Sequence, residues 1–224
     1  MRYALFGAIG LTLLTASTGY GYGGFEMTGS FVNFSRLDEQ FTAFNRAWKG
    51  ADSFVHRGPI PWLGGHGGGL AGPVTVGGRG AFCYKGAAAD SLESQLAGAG
   101  AFFELGYPWA PVDQFWARGF LELGGTAWVH YLHTKESFSD PNFLRWYMGW
   151  VAGANPGIEV LGRMRYAGDL FAGLFLKAGW FIPFTGTQWA AGSDEPLRPE
   201  FSMSGLNLQL GVRFGRYPFK PLKI

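Results

Sequence analysis

Residues able to do chemistry are few in this chain, and their spacing assembles none of the usual reaction centres. Gly67-Gly68-Gly69-Leu70-Ala71-Gly72 has the G-x-G-x-x-G spacing with which a glycine-rich turn lets backbone amides hold a pyrophosphate. That chemistry needs a strand before the glycines and a helix after them, but Pro73 follows at once, so the run reads as a glycine-rich strand. His66-Gly67-Gly68-Gly69 has the form of a lipase oxyanion stretch, yet no G-x-S-x-G nucleophile elbow accompanies it. His130, His133 and Glu136 are close enough for a shallow metal site, but their spacing fixes no complete ligand set, and they read as surface residues. Ser137 and Ser139 beside His133 are the parts of a nucleophile and base, although nearness in sequence is not triad geometry. The single cysteine, Cys83, excludes an intrachain disulfide and a multi-cysteine metal site. The sequence therefore predicts no catalytic, cofactor-binding or metal-ligating set.

A second group of residues is scattered. Glu26, Arg79, Glu104, Arg118, Glu122, Glu159, Arg163, Lys177 and Arg213 are isolated charges of both signs, set among segments that alternate with period two. In the clearest segment Phe115, Ala117, Leu121, Leu123, Val129 and Tyr131 share one face, opposite Trp116, Arg118, Phe120, Glu122, Trp128 and His130. Val74, Val76, Phe82 and Tyr84 likewise oppose Thr75, Arg79, Cys83 and Lys85; Ile158, Val160 and Met164 oppose Glu159, Arg163 and Arg165. Leu206, Leu208, Leu210, Val212 and Phe214 oppose Asn207, Gln209 and Arg213. Extended stretches at 25–34, 64–71, 97–107, 144–153 and 170–183 bring the total to about nine strands.

Gly72-Pro73, Tyr107-Pro108-Trp109-Ala110-Pro111, Asn155-Pro156-Gly157 and Gly168-Asp169 read as tight turns, which makes neighbouring strands antiparallel. One stretch departs from the pattern. Ser35 before Arg36-Leu37-Asp38-Glu39-Gln40-Phe41, with Phe44 and Trp48 following, predicts an N-capped amphipathic helix in an insert at 35–49, ahead of Pro59. Residues 136–142 and 185–200 are polar and loop-like.

Composition narrows the class. Aromatic residues reach 17% and glycines number 37, while charged residues are only 15% against an average of roughly 25%, which disfavours disorder. A net charge of +2, with no basic cluster among stacking aromatics, gives nucleic acid no surface. Met1-Arg2, an apolar run at 3–16 and then Ala16, Ser17, Thr18 and Gly19 read as a signal peptide over 1–19, leaving 20–224 as a single domain. No cysteine follows the run, so no lipoprotein anchor is expected.

Alternation alone does not separate a soluble β-domain from a membrane barrel, because either buries one face. The polar faces decide. They hold glycine, aromatics and single charges where a watered face would carry more Lys, Glu, Ser and Thr. The inside of a narrow barrel favours that mixture, since glycines relieve crowding and opposite charges satisfy one another. Tyr107, Trp109, Tyr131, Trp146, Tyr166, Phe184 and Trp189 fall at segment ends, where amphipathic rings meet a bilayer interface.

In strand period, aromatic ends, lumen charges and leader, the chain resembles the small outer-membrane β-barrels of Gram-negative bacteria, such as the transmembrane domain of outer membrane protein A. The resemblance covers about 25–214. It implies an all-β antiparallel transmembrane barrel of about eight strands, possibly ten, with one short helix in a loop, because single-chain barrels of this kind have even strand numbers. It also implies a monomer in the bacterial outer membrane, contacting lipid and lipopolysaccharide and delivered by the barrel assembly machinery. The nine charges are then a lumen network, either structural or pore-lining. A structural or loop-mediated adhesive role leads, ahead of a small pore or transporter. A barrel lipid hydrolase comes next, followed by a soluble secreted β-protein.

Overall fold

A computed structural model describes residues 21–47, 50–90, 92–112, 114–134, 145–168, 170–185, 188–191 and 202–216. The leader at 1–19, together with Glu136, Ser137 and Ser139, lies outside the described residues. The elements are β1 (Gly21–Asn33), α1 (Ser35–Ala47), β2 (Ile60–Ala71), β3 (Val74–Ala88), β4 (Leu92–Val112), β5 (Phe115–Thr134), β6 (Arg145–Ala167), β7 (Leu170–Pro183), β8 (Gln188–Ala191) and β9 (Ser202–Arg216).

Strands β1 to β7 pair with their sequence neighbours where they are joined by turns or loops, β7 pairs with β9, and β9 returns to β1, all antiparallel. The sheet is thereby closed into eight staves with no free edge around its middle. Strand β8 adds no ninth stave: it pairs with β6 at Tyr147 to Trp150, just beyond the stretch of β6 that pairs with β7, so it continues the line of β7.

Two expected turns are strand interior. Asn155-Pro156-Gly157 sits inside the 23-residue β6, where Pro156 faces outward opposite Leu121 and Asn155 points inward. The stretches at 144–153 and 158–165 are thus one strand, which turns nine expected segments into eight staves. Tyr107-Pro108-Trp109-Ala110-Pro111 belongs to β4, with Pro108 opposite Arg118, and the chain reverses only after Val112. Proline is tolerated at both places because one flanking ladder is missing there: the β6–β7 register skips 155 and 156, and the β3–β4 register ends at Gly106. The other two turn signals hold, with Gly72 and Gly168 at φ of 64° and 55°, a left-handed backbone that suits glycine.

Helix α1 forms as expected, although its start is capped differently: the Asn33 carboxamide oxygen accepts from the Ser35 backbone N–H at 2.9 Å. Its spacing puts Leu37, Phe41 and Asn45 on the buried side. Both ends of the described chain and the three tight turns lie at one end of the barrel, here the floor. Helix α1 and the longer connections lie at the other, the mouth.

The faces are inverted relative to a soluble sandwich. Leu121, Val160 and Leu208 are 36%, 39% and 38% exposed on the outside, whereas Arg118 and Glu122 are fully buried within. Leu174 and Leu210 on other staves repeat the outward apolar pattern. Tyr107, Trp109, Tyr131, Trp146 and Phe184 are exposed near strand ends, with Trp150 and Trp180 added near the mouth; the side chains of Tyr166 and Trp189 are outside the described set.

Candidate functional site: an ionic ring and a plugged mouth

An eight-stranded barrel is just wide enough for its inward side chains to fill. Those of this chain sort into three layers. At the floor Tyr22, Trp116, Leu161, Phe171 and Phe175 form an apolar cluster. Above it eight of the nine charges expected on the polar faces are buried in the lumen, while the ninth, Arg163, is buried two residues nearer the floor than Leu161. At the mouth a larger apolar layer includes Trp62, Leu96, Trp128 and Phe181 from the strands and Leu37, Phe41 and Phe54 from α1 and the segment after it.

Eight of the nine charges, together with His66, close into a circuit of alternating sign. Glu26 accepts from Arg79 at 3.0 Å, and Arg79 Nε lies 3.1 Å from Glu122. Glu122 accepts from Lys177 Nζ at 3.0 Å, and Lys177 also pairs with Glu104. Glu104 pairs with Arg118, whose Nη2 is 2.7 Å from Glu159 Oε2. Glu159 holds Arg213 through both of its oxygens, and Arg213 Nε donates to His66 Nε2 at 3.2 Å. His66 Nδ1 returns to Glu26 at 3.2 Å. Because Nε2 accepts from Arg213, a neutral His66 carries its proton on Nδ1, toward the carboxylate.

The circuit draws at least one residue from each of the eight staves, two from β5. Four carboxylates meet four cations, so the charge of the circuit sums to zero with His66 neutral. Taking any of these ions out of water costs several kcal/mol, and the cost is offset only where every charge is paired and hydrogen-bonded. Neutral side chains add to the pairing: Asn155 Nδ2 donates to Glu122 at 2.7 Å, and Thr75 Oγ1 accepts from Arg118 Nη1 at 2.8 Å. A Cβ on Gly106 would stand 2.9 Å from Arg118 Nη1, so that glycine makes room for the guanidinium. Below, Arg213 lies 4.4 Å over the Tyr22 ring and Arg118 5.5 Å over Trp116. Arg163, the ninth charge, is buried but is not a member of the circuit.

The mouth is closed by α1 and residues 50–59, fixed to the wall at three points. Asn45 Nδ2 and the Ala51 N–H both donate to the Asp90 carboxylate, at 2.7 and 2.5 Å. Lys85 Nζ donates to the carbonyls of Arg57, Gly58 and Pro59 at 2.7 to 3.0 Å. The third point is a chain of side chains: Asp38 beside His56 Nδ1 at 2.5 Å, His56 Nε2 3.3 Å from Ser94 Oγ, and Ser94 Oγ 2.7 Å from His130 Nε2. Burial pushes the His56 pKa below its ordinary value, opposed by the Asp38 carboxylate against it.

Several expected sites take other forms. The glycines at 67–69 are in β2, a strand with no helix following, and Gly72 is in the hairpin turn. His130 and His133 are buried, contrary to the surface reading. They also serve different partners, His130 bonding Ser94 while His133 lies 3.3 Å from Gln95 Nε2 and 3.7 Å from Glu93. Among the described residues no cluster of three or more potential metal ligands occurs. Sequence reasoning missed His66, Ser94 and His56. The first two were accessible in principle, since the alternation of β2 and β4 points them inward; His56 has no periodic context.

No protein family and no curated protein matches the chain. Among solved structures it is similar to a major outer membrane protein from Thermus thermophilus, at 10% identity and a TM-score of 0.46, over 87% of this chain and 98% of that one. At that distance the barrel rests on the strand register above, and the likeness adds nothing to it.

Proposed function

We infer that the chain is a closed, plugged outer-membrane barrel that acts as an anchored scaffold, with its mouth and loops available to envelope partners or surfaces. An apolar exterior and an ionic, filled interior suit acyl chains outside and exclude them inside. Among the described residues no helix is long and apolar enough to cross a membrane, which leaves crossing to the strands. With the tight turns and both strand ends at the floor, the floor faces the periplasm and the mouth the exterior. Lipid and lipopolysaccharide then contact the wall, the barrel assembly machinery inserts it, and the protein works as a monomer without catalysis.

The observation carrying this reading is the charge circuit drawn from all eight staves. It occupies the centre of the lumen, leaving a solute no path that does not break paired buried ions. The test is reconstitution of the full chain. Purified protein should float with phosphatidylethanolamine and lipopolysaccharide vesicles on a density gradient, yet give no unitary current steps in a planar bilayer. Stable steps would replace the scaffold with a pore, and protein left at the bottom of the gradient in the absence of detergent would remove the membrane altogether.

A further inference from the structure

Two imidazoles, one on the plug and one on the wall, meet at a single hydroxyl. Asp38, His56 and Ser94 stand in the order carboxylate, imidazole, hydroxyl, which are the parts of a nucleophilic triad. Here, however, Asp38 and His56 belong to the plug that covers Ser94, so any motion admitting a substrate to the hydroxyl would carry off its base. The arrangement is a joint between two parts of the molecule.

The geometry points to an acid-labile plug: α1 and residues 50–59 stay seated while His130 is neutral and leave their seat when it takes a proton. His130 is fully buried, with the Phe41 ring of α1 stacked on it at 4.9 Å and 16°, and Tyr147 of β6 at 6.3 Å. Its Nε2 is spent on Ser94, and its Nδ1 has no hydrogen-bond partner among the described residues.

The titratable and charged groups around the joint are each committed elsewhere. Asp38 holds His56, Asp90 holds Asn45 and Ala51, Lys85 holds the carbonyls of 57–59, and Glu93 of β4 lies toward His133. None of these carboxylates is placed on His130. The two imidazoles therefore differ. Asp38 lies against His56 and lessens the cost of a proton there, whereas a proton on His130 would set an imidazolium beside Phe41 and Tyr147 without a counter-ion.

The sign follows from linkage. With the plug withdrawn, His130 meets water and binds a proton with an ordinary pKa of about 6.5, so the unseated form takes up protons that the seated form excludes. Seating is fully favoured above that pH and is lost as pH falls below it, by about thirtyfold at pH 5. Acid release of the plug goes beyond the scaffold reading and does not depend on a bilayer.

Hydrogen exchange of the full chain in detergent micelles, corrected for the intrinsic pH dependence of amide exchange, tests it. Protection of the α1 amides should drop about thirtyfold between pH 7.5 and 5.0 while β5 stays protected. His130→Gln keeps a partner for Ser94 and should remove most of the drop; His133→Gln should retain it. Wild-type protection that does not change with pH, or an undiminished drop in His130→Gln, would overturn the proposal. If His130→Gln does not fold, carbon NMR titration of the wild-type imidazoles decides: one shared midpoint for His130 and α1 opening supports it, and separate midpoints sink it.

Discussion

The middle and the mouth of the barrel fill the same tube by opposite means. In the middle every member of the charge circuit is fixed to a stave, so its partners are set by strand register and none can leave without opening the wall. At the mouth part of the packing comes from α1 and residues 50–59, a segment held by hydrogen bonds at Asp90, Lys85 and Ser94 and by the Leu37, Phe41 and Phe54 side chains. The lesson is that a filled lumen need not be uniformly stable: the circuit belongs to the global fold, and the plug can open as its own local unit.

That contrast can be broken in order of effect. Glu159→Ala strands Arg213 in the lumen and leaves Arg118 only Glu104, and should cost the barrel about 4 kcal/mol, seen as a lower urea midpoint for refolding into vesicles. A midpoint shift below about 1 kcal/mol would mean water or rearrangement rescues the circuit, and the middle is not rigid. Phe41→Ala should remove about 3 kcal/mol of plug seating, exposing the α1 amides to exchange while the barrel's urea midpoint barely moves. Equal losses by both readouts would merge the two regions into one cooperative unit. Lys85→Met removes the donor to three carbonyls and should loosen the plug by about 1 kcal/mol, again in exchange and not in the midpoint.

The same division explains what the sequence disclosed. Period-two alternation places Arg118, Glu122, Glu159 and Arg213 inside because successive strand side chains must point to opposite faces, whatever the partner strand. Which charge meets which was hidden, since pairs such as Arg213 with Glu159 depend on register and on β9 lying beside β7. His66 was hidden among glycines that drew attention as a possible phosphate loop. Turn signals misled at Pro108 and Pro156, where local propensity for reversal yields to the ladders with β5 that run through both positions. The plug's joint was the least legible part. Asp38, His56, Ser94 and His130 come from four separate places in the chain, and His133, not His130, drew the hydrolase reading.

The circuit also bears on how the barrel is made. Glu26 on the first stave and Arg213 on the last are linked only through His66, and Lys177 of β7 reaches Glu104 of β4 across the lumen, so the pairing is complete only once the sheet has curled shut. A half-built sheet would present bare carboxylates and cations to hydrocarbon, at a cost of several kcal/mol for each ion. Entry into lipid and joining of the seam must therefore advance together, and the ions act as a late checkpoint that an unclosed intermediate cannot pass.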